Sequence, residues 1–258
     1  MKKNHYINLV NFRKNNYSQN GEDGIINELI KRLKLDKNPN NNWCVEFGAW
    51  DGIHLSNTYN LVKNGWNAIY IEGDIRKFKD LLKTKSNNEK IIAVNKFVSK
   101  NKESDNSLDN ILKKTNIPIN FDILSIDIDS FDLEVWYSLI TYKPKIVIIE
   151  INSAYPPGII KWHSERNSNT NGNSFSATLK VAEEKGYRLI FHTGNMLFIK
   201  EELFDSLRID PKYLNHPELL YDDTWYSIEK SILKKFIIRC SAFLKEKINK
   251  KIKKLFLK

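Results

Sequence analysis

The sequence predicts an α/β fold: a doubly wound, mostly parallel, seven-stranded sheet ending in an antiparallel C-terminal hairpin. Three observations carry this. Five short runs, at 43–47, 68–72, 91–95, 121–127 and 145–151, are rich in Val and Ile and do not alternate with polar residues. Strands buried on both faces of a parallel sheet read this way. Helical patterns at 55–64, 75–85, 106–115, 131–140 and 174–185 fall between or after them, which is the rhythm of βαβ units. Two last runs, 188–191 and 196–199, are joined by His192, Thr193, Gly194 and Asn195, and so short a Gly/Asn connection marks a hairpin.

A chain of 258 residues can hold one large α/β domain. We expect that domain over 1–229, with an N-terminal helical lid. The lid is an amphipathic helix over 18–34, with Ser18 as its N-cap and Ile25, Ile26, Leu29, Ile30 and Leu33 on one face. A hydrophobic fraction of 41% argues for a packed globule. No apolar run is long enough to span a membrane. Only Cys44 and Cys240 carry thiols, so no disulfide framework is expected and a reducing cytoplasm is the default.

The net charge of +10 is local. Residues 230–258 hold eleven Lys or Arg and one acid, Glu246, and the rest of the chain has thirty basic and thirty acidic residues. A neutral body argues against a nucleic-acid-binding protein. Within the tail, Leu233, Phe236, Ile237, Cys240, Phe243, Leu244, Ile248, Ile252 and Leu255 recur at helical spacing among lysines. A basic amphipathic helix suits an anionic membrane surface, here the inner face of a membrane. The alternative is a helix docked on its own domain or on a second subunit of a homo-oligomer.

The first strand ends in Val45-Glu46-Phe47-Gly48-Ala49-Trp50-Asp51-Gly52 and the second in Ile71-Glu72-Gly73-Asp74. Ligands of doubly wound sheets lie outside the carboxyl ends of the strands, where glycines let backbone approach them. An acid ending the second strand can accept hydrogen bonds from both hydroxyls of a ribose. The loop lacks the three glycines of a pyrophosphate binder, and Asp51 would repel a diphosphate. A cationic, phosphate-free cofactor fits better, and S-adenosylmethionine carries a sulfonium and an ammonium. Expected cofactor contacts are Glu46, Gly48, Ala49, Asp51, Gly52, Glu72, Gly73 and Asp127, with Gln19 reaching over from the lid. The bland reading is a strand–turn–helix with a structural glycine and surface acids.

At Glu46-Phe47-Gly48-Ala49-Trp50-Asp51-Gly52, Ile126-Asp127-Ile128-Asp129-Ser130-Phe131-Asp132 and Ile148-Ile149-Glu150-Ile151-Asn152 the chain resembles the FkbM-type S-adenosylmethionine-dependent methyltransferases. Ser18-Gln19-Asn20-Gly21-Glu22-Asp23-Gly24 is similar to a segment of some bacterial relatives. The resemblance covers roughly 17–200. It implies the Rossmann-like class I methyltransferase fold and O-methyl transfer, often to sugars of polysaccharides or to small metabolites. It makes Glu46, Gly48 and Glu72 cofactor residues and places Asp127 beside the transferred methyl. Many relatives carry Glu-Gly where this chain has Asp129-Ser130.

Methyl transfer to oxygen needs an in-line alignment and removal of a proton. Base candidates are Asp127, ending the fourth strand, and His163 and His192, whose imidazoles titrate near neutrality. Asp127, Glu150 and Asn152 form a candidate set of oxygen donors for Mg²⁺ or another divalent metal. Asp132 is read as a helix cap. Tyr155, Trp162, Arg166 and Asn195 are candidate acceptor contacts, aromatic and amide groups suiting a sugar and Arg166 a nucleotide diphosphate. The expected function is O-methylation of a sugar or nucleotide-sugar used in surface polysaccharide biosynthesis. The alternatives are a methyltransferase of a small metabolite or lipid, or a non-catalytic assembly module. A nicotinamide-dependent oxidoreductase is disfavoured by the missing glycines.

Overall fold

The computed structural model describes residues 6–164 and 172–224. The tail at 230–258 and Arg166 lie outside these residues. The strands are β1 (Trp43–Phe47), β2 (Asn67–Ile71), β3 (Ile91–Val94), β4 (Ile123–Ile126), β5 (Ile146–Glu150), β6 (Tyr187–His192) and β7 (Asn195–Lys200). They form one seven-stranded sheet in the order β3-β2-β1-β4-β5-β7-β6. β1 to β5 pair in parallel. β7 runs antiparallel to both β5 and β6. The mostly parallel α/β sheet with its closing hairpin is the fold expected from the sequence, and it has the class I methyltransferase layout.

The continuous apolar runs are explained by burial on both sides. Val45, Phe47, Leu124, Val147 and Ile149 point into one layer, while Cys44, Ala68, Ile146 and Ile148 point into the other. The second layer is covered by α1 (Glu22–Arg32), α2 (Tyr59–Lys63) and α3 (Ile75–Ser86), which supply Ile25, Leu61 and Leu81. The first is covered by α4 (Leu108–Leu112), α5 (Asp132–Ser138) and α6 (Phe175–Glu184), which supply Leu112, Trp136 and Val181. Trp136 has its ring centroid 5.6 Å from Tyr187 and 5.3 Å from Phe198. It links α5 to the hairpin by aromatic packing.

From β1 the chain order departs towards β2 and β3 on one side and towards β4 and β5 on the other. Such a switch point opens a crevice at the carboxyl ends of the strands. Gly48 makes the crevice narrow. Its φ is +78°, and a Cβ there would stand 1.6 Å from the Asp127 carbonyl oxygen. Only glycine lets the end of β1 lie against the end of β4.

The N-terminal segment differs from expectation. The helix begins at Glu22, with Gly21 at the N-cap position and φ of +98°. Ser18 is buried and turned towards Asp23. Its hydroxyl donates to Asp23 Oδ2 (2.8 Å) and accepts the Asp23 N–H (3.0 Å). Asp23 Oδ2 also accepts the N–H groups of Asn16, Tyr17 and Ser18. Gln19 is exposed, and its carbonyl accepts from Asn15. Glu22 is completely buried. Its Oε1 accepts from Thr193 Oγ1 (2.9 Å) and Asn195 Nδ2 (3.0 Å). The segment is therefore bolted to the β6–β7 turn instead of lying over a ligand as a lid. Asn195, expected as an acceptor contact, is spent on that bolt and is buried.

A buried carboxylate that accepts from two buried donors is costly to remove, because both donors lose their partner. Glu22→Ala should lower unfolding free energy by about 3 kcal/mol, whereas Gln19→Ala should stay within about 0.5 kcal/mol of the parent. Urea unfolding of the two variants checks this.

Candidate active site

A cavity of about 640 Å³ opens at the carboxyl ends of β1, β2 and β4. Glu46, Gly48, Glu72, Gly73 and Asp127 line it, as do Trp50, Phe97, Phe131, Lys77 and Lys96.

Glu72 is held from two sides. Its Oε2 accepts the Trp50 N–H (2.9 Å) and its Oε1 accepts the Asp74 N–H (2.7 Å). One donor belongs to the loop after β1 and the other to the loop after β2. Each oxygen keeps further acceptor capacity, so the bonds orient the carboxylate without consuming it. Asp74 in turn caps α3, its side chain accepting from the N–H groups of Arg76 and Lys77. These bonds, Arg76's side chain first, hold the Asp74 carboxyl at about 2.

Glu46 lies deeper. Its Oε2 accepts from the Ser56 hydroxyl (2.8 Å), the Thr58 N–H (3.1 Å) and the Thr58 hydroxyl. Burial raises its pKa, against the opposing pull of the Thr58 and Ser56 hydrogen bonds. It is a wall fixed by the loop before α2.

Other expected cofactor residues serve the loop and do not line the cavity. Ala49 is buried in the core. Asp51 Oδ1 accepts the N–H groups of Ile53 and His54, both at 2.8 Å. Gly52 has φ of +75°, and a Cβ there would meet Leu81 and Tyr70 at 2.9 Å. It is a packing glycine beneath α3. Gln19 is likewise away from the cavity wall.

A carboxylate cluster stands at one end. Oxygens of Asp127, Asp129 and Glu150 lie within 4.8 Å of one another. Asp129 takes the place expected of Asn152, whose Oδ1 accepts the Ala154 N–H (2.9 Å). A left-handed backbone at Asp129, φ +58°, brings its side chain into the cluster. Loss of hydrating water, then repulsion from Asp132 and Asp129, pushes Asp127 upward. Loss of water, then the charges of Asp127 and Asp129, pushes Glu150 upward further. Adjacent carboxyls in this state share one proton, here between Asp127 and Glu150. Asp132 is buried, and its oxygens accept the N–H groups of Ile128 (2.8 Å) and Ser130 (2.9 Å). It pins the loop that presents Asp127 and Asp129. Phe131, not Asp132, occupies the N-cap position of α5. Burial raises Asp132 to about 6.

Neither histidine reaches this cavity. His192 is 1% exposed. Its Nδ1 accepts the Asp222 N–H (2.9 Å), and its ring stacks on Tyr221 with centroids 5.3 Å apart. Burial lowers it to about 4. A neutral ring whose Nδ1 is an acceptor carries its proton on Nε2 and has no free base nitrogen. The stretch 217–224 that buries it folds back from far along the chain. His163 Nδ1 accepts the Gly172 N–H (3.2 Å), and its ring meets Phe131 edge-on at 4.6 Å. It stands behind Phe131, one ring away from the cavity. Tyr155 lies beneath the Lys161 ammonium (4.8 Å) and Trp162 meets Tyr137 edge-on (6.1 Å). Both belong to the stretch after β5, and neither lines the cavity.

Sequence reasoning missed Phe97, which is 74% exposed. Its ring lies against Gly73, where a Cβ would stand 2.3 Å away. The signal available was a lone aromatic just past the end of β3. Trp50, at φ +46° beneath the Lys77 ammonium (5.2 Å), was also missed as a lining residue.

No family model matches the sequence, and no curated protein matches it. Solved structures do align. TrmK of M. capricolum, in complex with S-adenosyl-homocysteine, shows 16% identity and a TM-score of 0.42 over 80% of this chain and 85% of that one. A SAM-dependent methyltransferase from Aquifex aeolicus shows 11% identity and a TM-score of 0.36 over 66% and 88%. The CurJ carbon methyltransferase shows 9% identity and a TM-score of 0.45 over 69% and 52%, so this chain spans about half its length. At such values the likeness carries no functional weight, and the fold rests on the observed sheet. Nothing in these comparisons points to the FkbM-type family.

The cluster has a consequence for stability. A carboxyl whose pKa is raised by folding keeps its proton where the unfolded chain has lost it, so stability falls as pH rises from about 4 through neutrality. Glu150→Gln keeps a donor to Asp127 and removes one titration. It should raise the melting temperature at pH 8 and leave it unchanged at pH 4, as read by calorimetric scans at both pH values.

Proposed function

We propose that the chain is an S-adenosylmethionine-dependent O-methyltransferase of the FkbM type that uses this cavity for its cofactor. The observation that carries the reading is the oriented Glu72 carboxylate at the end of β2, facing a cavity whose far end holds Asp127. Glu72 would accept from the ribose hydroxyls. The flat, exposed Phe97 ring suits stacking with a purine. Glu46 and Asp127 supply the negative surroundings a sulfonium and an ammonium need.

The acceptor hydroxyl approaches from the Asp127 side. Asp127 takes the hydroxyl proton as the oxygen attacks the methyl carbon. The methyl–sulfur bond breaks, and its electron pair stays on sulfur, leaving a neutral thioether. Burial, then crowding by Asp132 and Asp129, makes Asp127 a stronger base than an ordinary carboxylate, which suits work near neutrality. Asp127, Asp129 and Glu150 are hard oxygen donors of the kind that hold Mg²⁺, which at that place would lower the pKa of an acceptor hydroxyl.

The acceptor we favour is a sugar or nucleotide-sugar of surface polysaccharide assembly. Exposed Trp162 and half-buried Tyr155, on the stretch after β5, support it by offering apolar faces to a sugar ring. The excess positive charge of 230–258 supports an anionic surface as a partner of the tail. A small metabolite or a lipid as acceptor would emerge from the same labelled-methyl acceptor screen.

Calorimetry with S-adenosylmethionine, S-adenosylhomocysteine and NAD tests the cofactor. Both sulfur nucleosides should bind and NAD should not, and Glu72→Ala should weaken binding at least about tenfold. Preference for NAD overturns the reading. Once an acceptor is found, Asp127→Asn should weaken cofactor binding less than Glu72→Ala does and lose roughly 10²-fold or more in turnover.

A further inference from the structure

A second concave surface lies at the opposite edge of the sheet, where β4, β5 and β6 begin and β7 ends. It encloses about 470 Å³ and is lined by Lys143, Lys185, Gly186, Tyr187, Lys200 and two glutamates. None of these residues takes part in the cavity described above.

Two of the ammonium groups are fixed in place. Lys185 Nζ donates to the Leu139 carbonyl (2.7 Å), and Lys200 Nζ donates to Asn120 Oδ1 (2.9 Å). The nearby acids are mostly committed. Asp122 pairs with Lys145 at 2.6 Å. Glu201 pairs with Arg188 at 2.6 Å. Asp109 accepts from the N–H groups of Ile140, Thr141 and Tyr142. Glu202 stands 3.9 Å from Lys200. Among the described residues, Lys143 and Lys185 have no carboxylate within salt-bridge distance. Lys143 is the shared neighbour whose charge depresses both of the others. Burial first, and then Lys143 against the opposing pull of Asp109, lowers Lys185 to about 8. Burial, and then Lys143 and Lys145 against Glu202, lowers Lys200. Lys185 and Lys200, held beside Lys143 at the cost of their own protonation, are relieved by an anion. The position of Gly186 is open, with nothing within 4 Å of where a Cβ would lie, so no side chain there narrows the approach to the lysines.

We infer that Lys143, Lys185 and Lys200 form a binding site for a phosphate-type anion, remote from the methyl-transfer cavity. Lysine ammoniums bind phosphate as point charges converging on its oxygens. The exposed side chains of Ile119, Ile140 and Tyr137 belong to the segments bearing these contacts. Phosphate oxygens of a soluble diphosphate and of a lipid headgroup present the same chemistry to the lysines.

The full chain is titrated with inorganic pyrophosphate by calorimetry, and separately floated with vesicles of phosphatidylglycerol or of phosphatidylcholine. The variants are Lys143→Gln/Lys185→Gln and, as a control for general charge, Lys79→Gln/Lys85→Gln on the exposed face of α3. We expect saturable binding that the first variant weakens at least about tenfold and the second leaves nearly unchanged. Pyrophosphate binding identifies a soluble anion. Flotation with phosphatidylglycerol that Lys143→Gln/Lys185→Gln weakens, without pyrophosphate binding, identifies a lipid headgroup, and flotation that this variant leaves unchanged belongs to the tail and overturns the site. Absence of both, or equal losses in the two variants, overturns the site. Unchanged melting temperature of Lys143→Gln/Lys185→Gln shows that loss of binding is not loss of fold.

Discussion

The site depends on the way Glu72 is gripped. Its two oxygens accept one N–H from the loop after β1 and one from the loop after β2. Together with the Gly48 and Ala49 N–H groups, which both donate to the Ile71 carbonyl, these bonds hold the two loops at a fixed separation and aim the carboxylate into the space between them. The grip works only because Gly48 lets the end of β1 run against the Asp127 carbonyl. A side chain there would push the two halves of the sheet edge apart and carry Asp127 away from Glu72. Geometry at the Glu72 end and at the Asp127 end of the cavity is thus set by one glycine and one carboxylate.

Electrostatics divides the cavity into two parts. Glu72 and Asp74 are satisfied by backbone donors. Asp127, Asp129, Asp132 and Glu150 are crowded together, and folding raises the pKa of Asp127, Asp132 and Glu150. Such crowding costs stability, and the loop 128–132 is held against it by the two N–H bonds to Asp132. Strain of this kind placed at one strand end, with no structural benefit to the core, is what a site for proton removal requires.

The strands were legible because burial on both faces leaves continuous Val/Ile runs, and their bounds fall within a few residues of expectation. The glycine bend and the acids Glu46 and Glu72 were legible because they are local to strand ends. What was illegible depends on contacts distant in sequence. Glu22 reads as an ordinary first-turn acid until the β6–β7 turn, more than 170 residues later, supplies its donors. His192 reads as an edge residue until 217–224 covers it. Asp129 joins the cluster through a left-handed backbone that no spacing rule reveals. Asn152, the residue expected there, spends its side chain on its own turn.

The account stands or falls on where a sulfonium nucleoside sits, and a crystal structure of the protein grown with S-adenosylhomocysteine measures that directly. We predict the ribose hydroxyls on Glu72, the purine against Phe97 and the sulfur turned towards Asp127. A nucleoside bound elsewhere, or a cavity without it at saturating concentration, would contradict the account.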